Sequence, residues 1–327
     1  MGNPAIVLDL IDAFRRSKTM FTAATMGVFD RTPATLNDLA RDLNASTGAL
    51  ERLLDGCVGL GLLVRDGGTY RNTETADEYL RRSSASTLVG YVTYSDRVLY
   101  PLWGNLGDAV REGSHRWQQT FGVDGPIFNH FFRTPEARAE FLLGMHGLGV
   151  ASSAHVVAAF DLSRYRKMVD LGGGTGHLPM AAADRYPEMQ VAVFDLPGAV
   201  ETAKQFVDSR VELIAGDFFT DALPEADLYA VGRILHDWSE TKIRTLLARV
   251  FDSLPSGGAL LIAERLLHPD KTGPVTALMQ SLNMLCCTEG KERTLTEYEA
   301  LLREAGFGHV EGAITGTVLD AVIARKS

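Results

Sequence analysis

The chain is poor in cysteine, with three in 327 residues, at Cys57, Cys286 and Cys287. None forms a C-x-x-C pair or another metal-ligand spacing, so no zinc site or disulfide framework is expected, and a reduced cytoplasm is the simplest setting. No apolar run approaches the roughly 18 residues that cross a bilayer. Asp9 and Asp12 break the first apolar stretch, which argues against a secretory signal. Positive charge is not in excess: 32 Lys and Arg against 41 Asp and Glu leave a net charge of −9. Such a surface repels phosphate backbones, so nucleic acid is not the expected partner. Repeats and low-complexity tracts are lacking. With 46% hydrophobic and 22% charged residues the composition is that of a globular protein, and the length favours two domains of about 100–200 residues each.

The sequence also lacks the G-x-G-x-x-G dinucleotide fingerprint, because His177 stands where its third glycine should be. In its place an apolar strand runs into Asp170-x-Gly172-x-Gly174-x-Gly176 and then opens a helix. Glycines at alternate positions let the backbone turn sharply, approach a ligand closely and aim free helix N–H groups at it. Asp195 closes the next apolar run, Val191-Ala192-Val193-Phe194. A carboxylate there accepts ribose hydroxyls, so the pair of features points to a nucleoside without a pyrophosphate, for which S-adenosylmethionine (SAM) is suited.

Residues 1–160 read as helices with one small hairpin. Ile6, Leu8, Leu10, Ile11 and Phe14 begin an apolar stripe that resumes at Met20, Phe21, Ala24 and Val28, as in packed amphipathic helices. Thr35 leads a short helix over 36–43, and Ser46 caps another over 47–63. Asp66-Gly67-Gly68 then turns the chain between two short strands, 62–64 and 69–71. Three helices followed by a hairpin is a winged-helix order. The helix carrying Glu51, Arg52 and Asp55 is not a basic reading face, so packing against a second copy is expected in place of DNA binding. Residues 80–160 continue helical and aromatic, with Phe132 and Met145 as candidate substrate contacts. From about 161 strands and helices alternate, which predicts a parallel sheet covered on both faces, an α/β architecture. Strands are expected at 167–171, 190–195, 211–215, 226–233 and 259–264, with an antiparallel pair near 308–313 and 317–324.

The parallel strands end in or near polar groups, which converge on one edge of such a sheet. Gly216-Asp217-Phe218-Phe219 offers a carboxylate for an adenine amino group and a ring to stack on it. His236, just past a strand end, is placed to take a proton near neutral pH. Glu264, at the end of the next strand, is expected to bond one imidazole nitrogen and make the other a better base. Met279, Asn283, Cys286 and Cys287 recur at helical spacing; a buried Asn283 would need a partner, and a bound substrate could supply it.

Asp170 to Gly176, Phe194-Asp195-Leu196-Pro197, Gly216 to Phe219, Leu235-His236-Asp237-Trp238 and Gly290-Lys291-Glu292-Arg293-Thr294 follow the order found in class I SAM-dependent small-molecule O-methyltransferases. Tyr70 to Glu74, Asp108 to Gly113, Ser281 to Leu285 and Thr288-Glu289-Gly290 make the chain resemble the acetylserotonin O-methyltransferase branch, over nearly its whole length. The resemblance implies a Rossmann-like SAM-binding catalytic domain over 161–327, preceded by a helical, winged-helix-like dimerisation and substrate-lid domain over 1–160, in a homodimer. It further implies His236 as general base flanked by Glu264 and Glu292. Asp170, Gly172, Gly174, Gly176, Asp195, Leu196, Gly216, Asp217, Phe218 and Arg233 would hold SAM, whose product is S-adenosylhomocysteine. Phe132, Met145, Asp237, Met279, Asn283 and Cys287 would face the acceptor, a small hydroxylated aromatic such as a hydroxyindole or a phenolic secondary metabolite, with no metal. The pattern departs at Gly232, where plant members carry lysine, and at Cys287 and Gly149, where the acetylserotonin enzyme carries glutamine and tryptophan. Those departures leave the acceptor open. Two rival readings follow from the same residues: a family member that keeps SAM but decarboxylates, hydroxylates or rearranges its substrate, and a SAM-sensing winged-helix regulator.

Overall fold

A computed structural model describes residues 3–125 and 127–327. The chain forms two compact units, 1–98 and 99–327. The sequence reading draws its line where the sheet begins, near residue 160. The helices over 100–158 fall instead in the second unit, because the long helix Pro135–Ala158 packs along the helix His177–Arg185 and the helix Val275–Cys287 packs on Tyr100–Trp103.

The first unit carries helices Ala5–Met26, Leu36–Asp42 and Thr47–Gly59, followed by the antiparallel strands Leu63–Asp66 and Thr69–Asn72. Gly67 and Gly68, both at positive φ (53° and 85°), make the two-residue turn between them. Thr35 caps its helix by accepting from the Asp38 N–H, whereas Ser46 occupies the N-cap position without a side-chain cap bond. Leu39, Leu50, Leu54, Leu63 and Tyr70 make the core. The first helix departs from expectation. Ile6, Leu10 and Phe14 are 69%, 68% and 52% exposed, so its N-terminal stripe is left largely uncovered by the described residues.

The second unit is built on seven strands, β1 Lys167–Leu171, β2 Gln190–Asp195, β3 Val211–Ala215, β4 Leu228–Gly232, β5 Ala259–Glu264, β6 His309–Ala313 and β7 Asp320–Arg325. Their order is β6-β7-β5-β4-β1-β2-β3, with β7 alone antiparallel to the rest. The connections run outward in opposite directions from β1 and β4, which makes the crevice between those two strands the topological switch point. Side chains alternate faithfully across the sheet. Val169, Leu171, Phe194, Tyr229, Val231 and Ile262 face the helices Glu240–Ser253 and Leu295–Glu304. Met168, Val191, Val193, Leu228, Ala230 and Leu261 face the opposite layer. Asp170 shares the phase of Met168 and is carried into that second layer, 2% exposed.

Helix Pro135–Ala158 is long and apolar enough to cross a membrane by length and composition, although charged and polar residues interrupt its apolar positions and much of it is buried inside the second unit. Its buried face is rich in small residues, Gly144, Gly147, Gly149, Ser152 and Ser153, which allow it to approach the glycine-loop helix closely.

Candidate active site

The glycine loop follows β1. Gly172, Gly174 and Gly176 have φ of 72°, 55° and 77°, conformations that side chains resist. The path is also crowded: a Cβ at Gly172 would stand 2.5 Å from Ile234 Cδ1 and 3.3 Å from the Phe218 ring, and one at Gly176 would stand 2.4 Å from Val207 Cγ1. Asp195, at the end of β2, ties this loop down. Its Oδ2 accepts from the Gly174 N–H at 2.9 Å and its Oδ1 from the Leu196 N–H at 2.7 Å. Burial lifts the Asp195 carboxyl to about 6, although both backbone bonds pull it down. Asp170 lies beneath, raised well above the carboxylate range by burial and then by Asp195, and its Oδ1 has no hydrogen-bond partner among the described residues.

At the end of β3, Gly216 passes under the Phe194 ring, where a Cβ would come within 2.4 Å. Asp217 spends one oxygen on a local turn, its Oδ1 accepting from the Phe219 N–H at 2.8 Å. Phe218 leans toward Gly172, which leaves a flat apolar wall beside the loop.

The catalytic candidates sit across the switch point. After β4, Arg233 takes a positive φ of 59°, and its guanidinium meets the Met145 sulfur. A short turn, Leu235–Asp237, then presents His236, 4% exposed. Its Nδ1 lies 2.6 Å from Glu292 Oε1. Its Nε2 is 3.7 Å from Asp237 Oδ1. Burial works against the imidazolium, but the carboxylates of Glu292, Asp237 and Glu264 outweigh it and lift His236 to about 9. Burial likewise raises Asp237 to about 6, against the pull of His236 and Arg233.

Glu264 corrects the expectation from sequence. It does not bond the imidazole. Its Oε1 accepts from the backbone N–H groups of Ile234 and His236 at 3.2 and 3.1 Å, and its Oε2 accepts from the Tyr298 hydroxyl. It therefore shapes the turn that carries His236, while Glu292 orients the ring. Glu292 reaches that position because the chain before it crosses directly over His236: a Cβ at Gly290 would stand 2.1 Å from the His236 carbonyl oxygen. His236, Glu264 and Glu292 place donor atoms within 4.8 Å of one another, as a metal site does. The ring nitrogen and the Glu264 oxygens are already engaged by protein partners.

Asn283 is 8% exposed, and its Oδ1 accepts from Trp103 Nε1 at 2.8 Å. The partner required by its burial is thus a tryptophan 180 positions away, where a substrate was expected. Cys287 Sγ lies 3.6 Å from the same oxygen. Phe132 belongs to an aromatic cluster with Phe128 and Phe141, at 5.8 and 6.1 Å between ring centroids. Met279, one turn before Asn283 on the same helix, is 45% exposed. Trp103 is one of the aromatics of residues 80–160, with nothing in the sequence to tie it to Asn283, and Tyr298 is missed by the sequence reading. A signal existed for Tyr298, which follows the Thr294–Glu297 capping box and shares a buried helix face with Leu301 and Leu302.

Residues 103–308 match an O-methyltransferase domain. The chain belongs to the O-methyltransferase family. Residues 8–82 of this O-methyltransferase match the family's dimerisation domain. Among similar proteins, acetylserotonin O-methyltransferase of Gallus gallus is 42% identical, covering 99% of this chain and 97% of that protein. The Homo sapiens acetylserotonin O-methyltransferase is 40% identical over 97% of this chain and 96% of its own length. The crystal structure of human N-acetylserotonin methyltransferase in complex with SAM matches with a TM-score of 0.96, at 39% identity and full coverage of both chains. The fold is therefore the Rossmann-like α/β architecture with a helical N-terminal dimerisation unit.

Proposed function

We propose that this O-methyltransferase moves the methyl group of SAM to a hydroxyl of a small planar aromatic, with hydroxyindoles such as acetylserotonin as the first acceptors to try, and that His236 is its general base. The observation that carries the reading is the buried His236–Glu292 pair at 2.6 Å, held just past the end of β4. The glycine loop fits the donor: all three of its glycines take positive φ, Gly172 and Gly176 leave no room for a side chain, and Asp195 sits at the strand end with one oxygen on the loop Gly174 N–H and the other on the Leu196 N–H. Gly172, Gly174, Gly176, Asp195 and Leu196 would hold the donor's ribose and tail, and Gly216, Asp217 and Phe218 its adenine. When bound, SAM supplies a sulfonium methyl, an electrophile that needs no metal.

The chain's own work is proton removal and alignment. A phenolic hydroxyl has a pKa near 10, so it is protonated at neutral pH. Once the ring has lost its second proton, Nδ1–H of His236 donates to Glu292, which leaves Nε2 bare to take the hydroxyl proton as the oxygen attacks. Glu292 then stabilises the imidazolium that results. Asp237, Asn283 with Trp103, Cys287, Phe132, Met145 and Met279 are assigned to the acceptor side, and Arg233 to the boundary between donor and acceptor. Base catalysis accounts for about 10²- to 10⁴-fold, and holding the oxygen in line contributes about 7 to 11 kcal/mol more. The chain acts as a homodimer, with Ile6, Leu10 and Phe14 covered by the second copy. Methyl-labelled SAM with a panel of hydroxyindoles, phenols and quinolones tests the reading: label in an aryl methyl ether supports it, and label in none of them contradicts it.

A further inference from the structure

Helix Pro135–Ala158 and the glycine loop exchange two bonds of the same kind in opposite senses. His146 of the helix places Nδ1 2.8 Å from Thr175 Oγ1 of the loop. His177 of the loop places Nδ1 2.8 Å from Ser153 Oγ of the helix. The Ser153 hydroxyl donates its own proton to the Gly149 carbonyl at 2.7 Å. It must therefore accept from His177, which fixes His177 as the Nδ1–H tautomer. Both hydroxyl residues are buried, Thr175 at 3% and Ser153 at 4% exposure. The His177 ring fits because residue 149 has no side chain: a Cβ there would lie 2.2 Å from its Cδ2 and Nε2. His146 is held in turn by the Phe206 ring, 4.5 Å between centroids.

Thr175 and His177 flank Gly176, the positive-φ residue that opens the helix, so the two bonds grip the loop on either side of its last turn. Asp195 grips it one residue earlier, through Gly174. A loop of glycines loses much conformational freedom on ordering. Bonds that order it before a ligand arrives raise affinity by removing that cost from the binding step. We propose that the reciprocal pairs His146–Thr175 and His177–Ser153 form a clamp that holds the glycine loop in its donor-binding shape, with His146 and His177 as positioning residues for SAM. This rests on the loop being the SAM site. Burial depresses both imidazoles, His177 to about 3, so the clamp stays uncharged near neutral pH.

Calorimetric SAM binding to the full chain and to Thr175→Val, Thr175→Ser, Ser153→Ala and Gly149→Ala tests the proposal, with a thermal melt of each. Loss of one neutral hydrogen bond predicts SAM binding about 3- to 10-fold weaker in Thr175→Val and Ser153→Ala. Thr175→Ser, which keeps the hydroxyl, should bind as the wild type does, and Gly149→Ala should reproduce the Ser153→Ala loss by displacing the His177 ring. Wild-type affinity in Thr175→Val and Ser153→Ala overturns the clamp, as does a Thr175→Ser variant as weak as Thr175→Val, or lowered melting with unchanged SAM binding. A wild-type chain that binds no SAM overturns the assignment of the loop itself, and so separates the two failures.

Discussion

Nδ1 of His236 lies 2.6 Å from Oε1 of Glu292, with both side chains withdrawn from water, and this one contact fixes which ring nitrogen carries the proton and which faces the crevice. The same carboxylate helps to lift His236 to about 9, so the resting imidazole is protonated at neutral pH and, as the proposed base, can take a hydroxyl proton only after losing that one. Methyl transfer, followed as kcat/KM for the acceptor, is expected to rise with pH through neutrality toward about 9. In Glu292→Gln the lifting charge is gone, so the midpoint of that rise should move to lower pH while the plateau falls by about tenfold or more. A pH–rate profile with an unmoved midpoint would show that Glu292 does not tune the ring. Because the folded value of His236 lies above its ordinary 6.5, the pair stabilises the fold fully below about pH 6.5 and loses that contribution as pH rises through about 9.

Asp195 is expected to govern donor binding. Asp195→Ala removes the acceptor for the Gly174 and Leu196 N–H groups as well as the proposed ribose contact, so calorimetry should show SAM affinity reduced by at least about tenfold. In the wild type, affinity should fall as pH drops through about 6, where the buried carboxylate takes up a proton. Wild-type SAM binding by the alanine variant would refute the role.

Glu264 should matter more for stability than its distance from the reacting atoms suggests. Glu264→Ala leaves the N–H groups of Ile234 and His236 and the Tyr298 hydroxyl without their acceptor, at about 1–3 kcal/mol for each buried group. Urea unfolding should show a midpoint shifted well down, and Glu264→Gln, which retains a carbonyl oxygen for the two N–H groups, should recover much of the loss. An unchanged midpoint in the alanine variant would contradict the assigned contacts.

The exposed stripe of the first helix predicts assembly. Light scattering at micromolar concentration should return the mass of a dimer, and Leu10→Glu with Phe14→Glu should shift it toward the monomer by placing charge in a buried apolar contact. A monomeric wild type would remove the reason for the exposed stripe.

Much of this was legible in the sequence, and what escaped has a physical reason. The five parallel strands and their polar ends could be read because buried strands are short apolar runs and their carboxyl ends share one edge. His236 was therefore visible as a candidate base. Strand ends alone point to Glu264 as its orienter, and only the family resemblance adds Glu292, since which glutamate meets the ring depends on an irregular crossing at Gly290 that has no periodicity to detect. Asn283 was recognised as a polar group in an apolar stripe, but its partner Trp103 is a long-range contact of the fold and leaves no local signature. The sequence puts the unit boundary at the start of the sheet, because helical periodicity says that residues 100–158 are helices and not what they pack against. The first helix announced its apolar stripe, whereas its exposure emerged only from the folded unit.

The most direct test of His236 as the base is turnover of methyl-labelled SAM with an accepted hydroxyindole or phenol by wild type and by His236→Ala, alongside calorimetric SAM binding to both. The expected result is a turnover lower by about 10²- to 10⁴-fold with SAM affinity nearly unchanged. Unchanged turnover in the alanine variant would contradict the account.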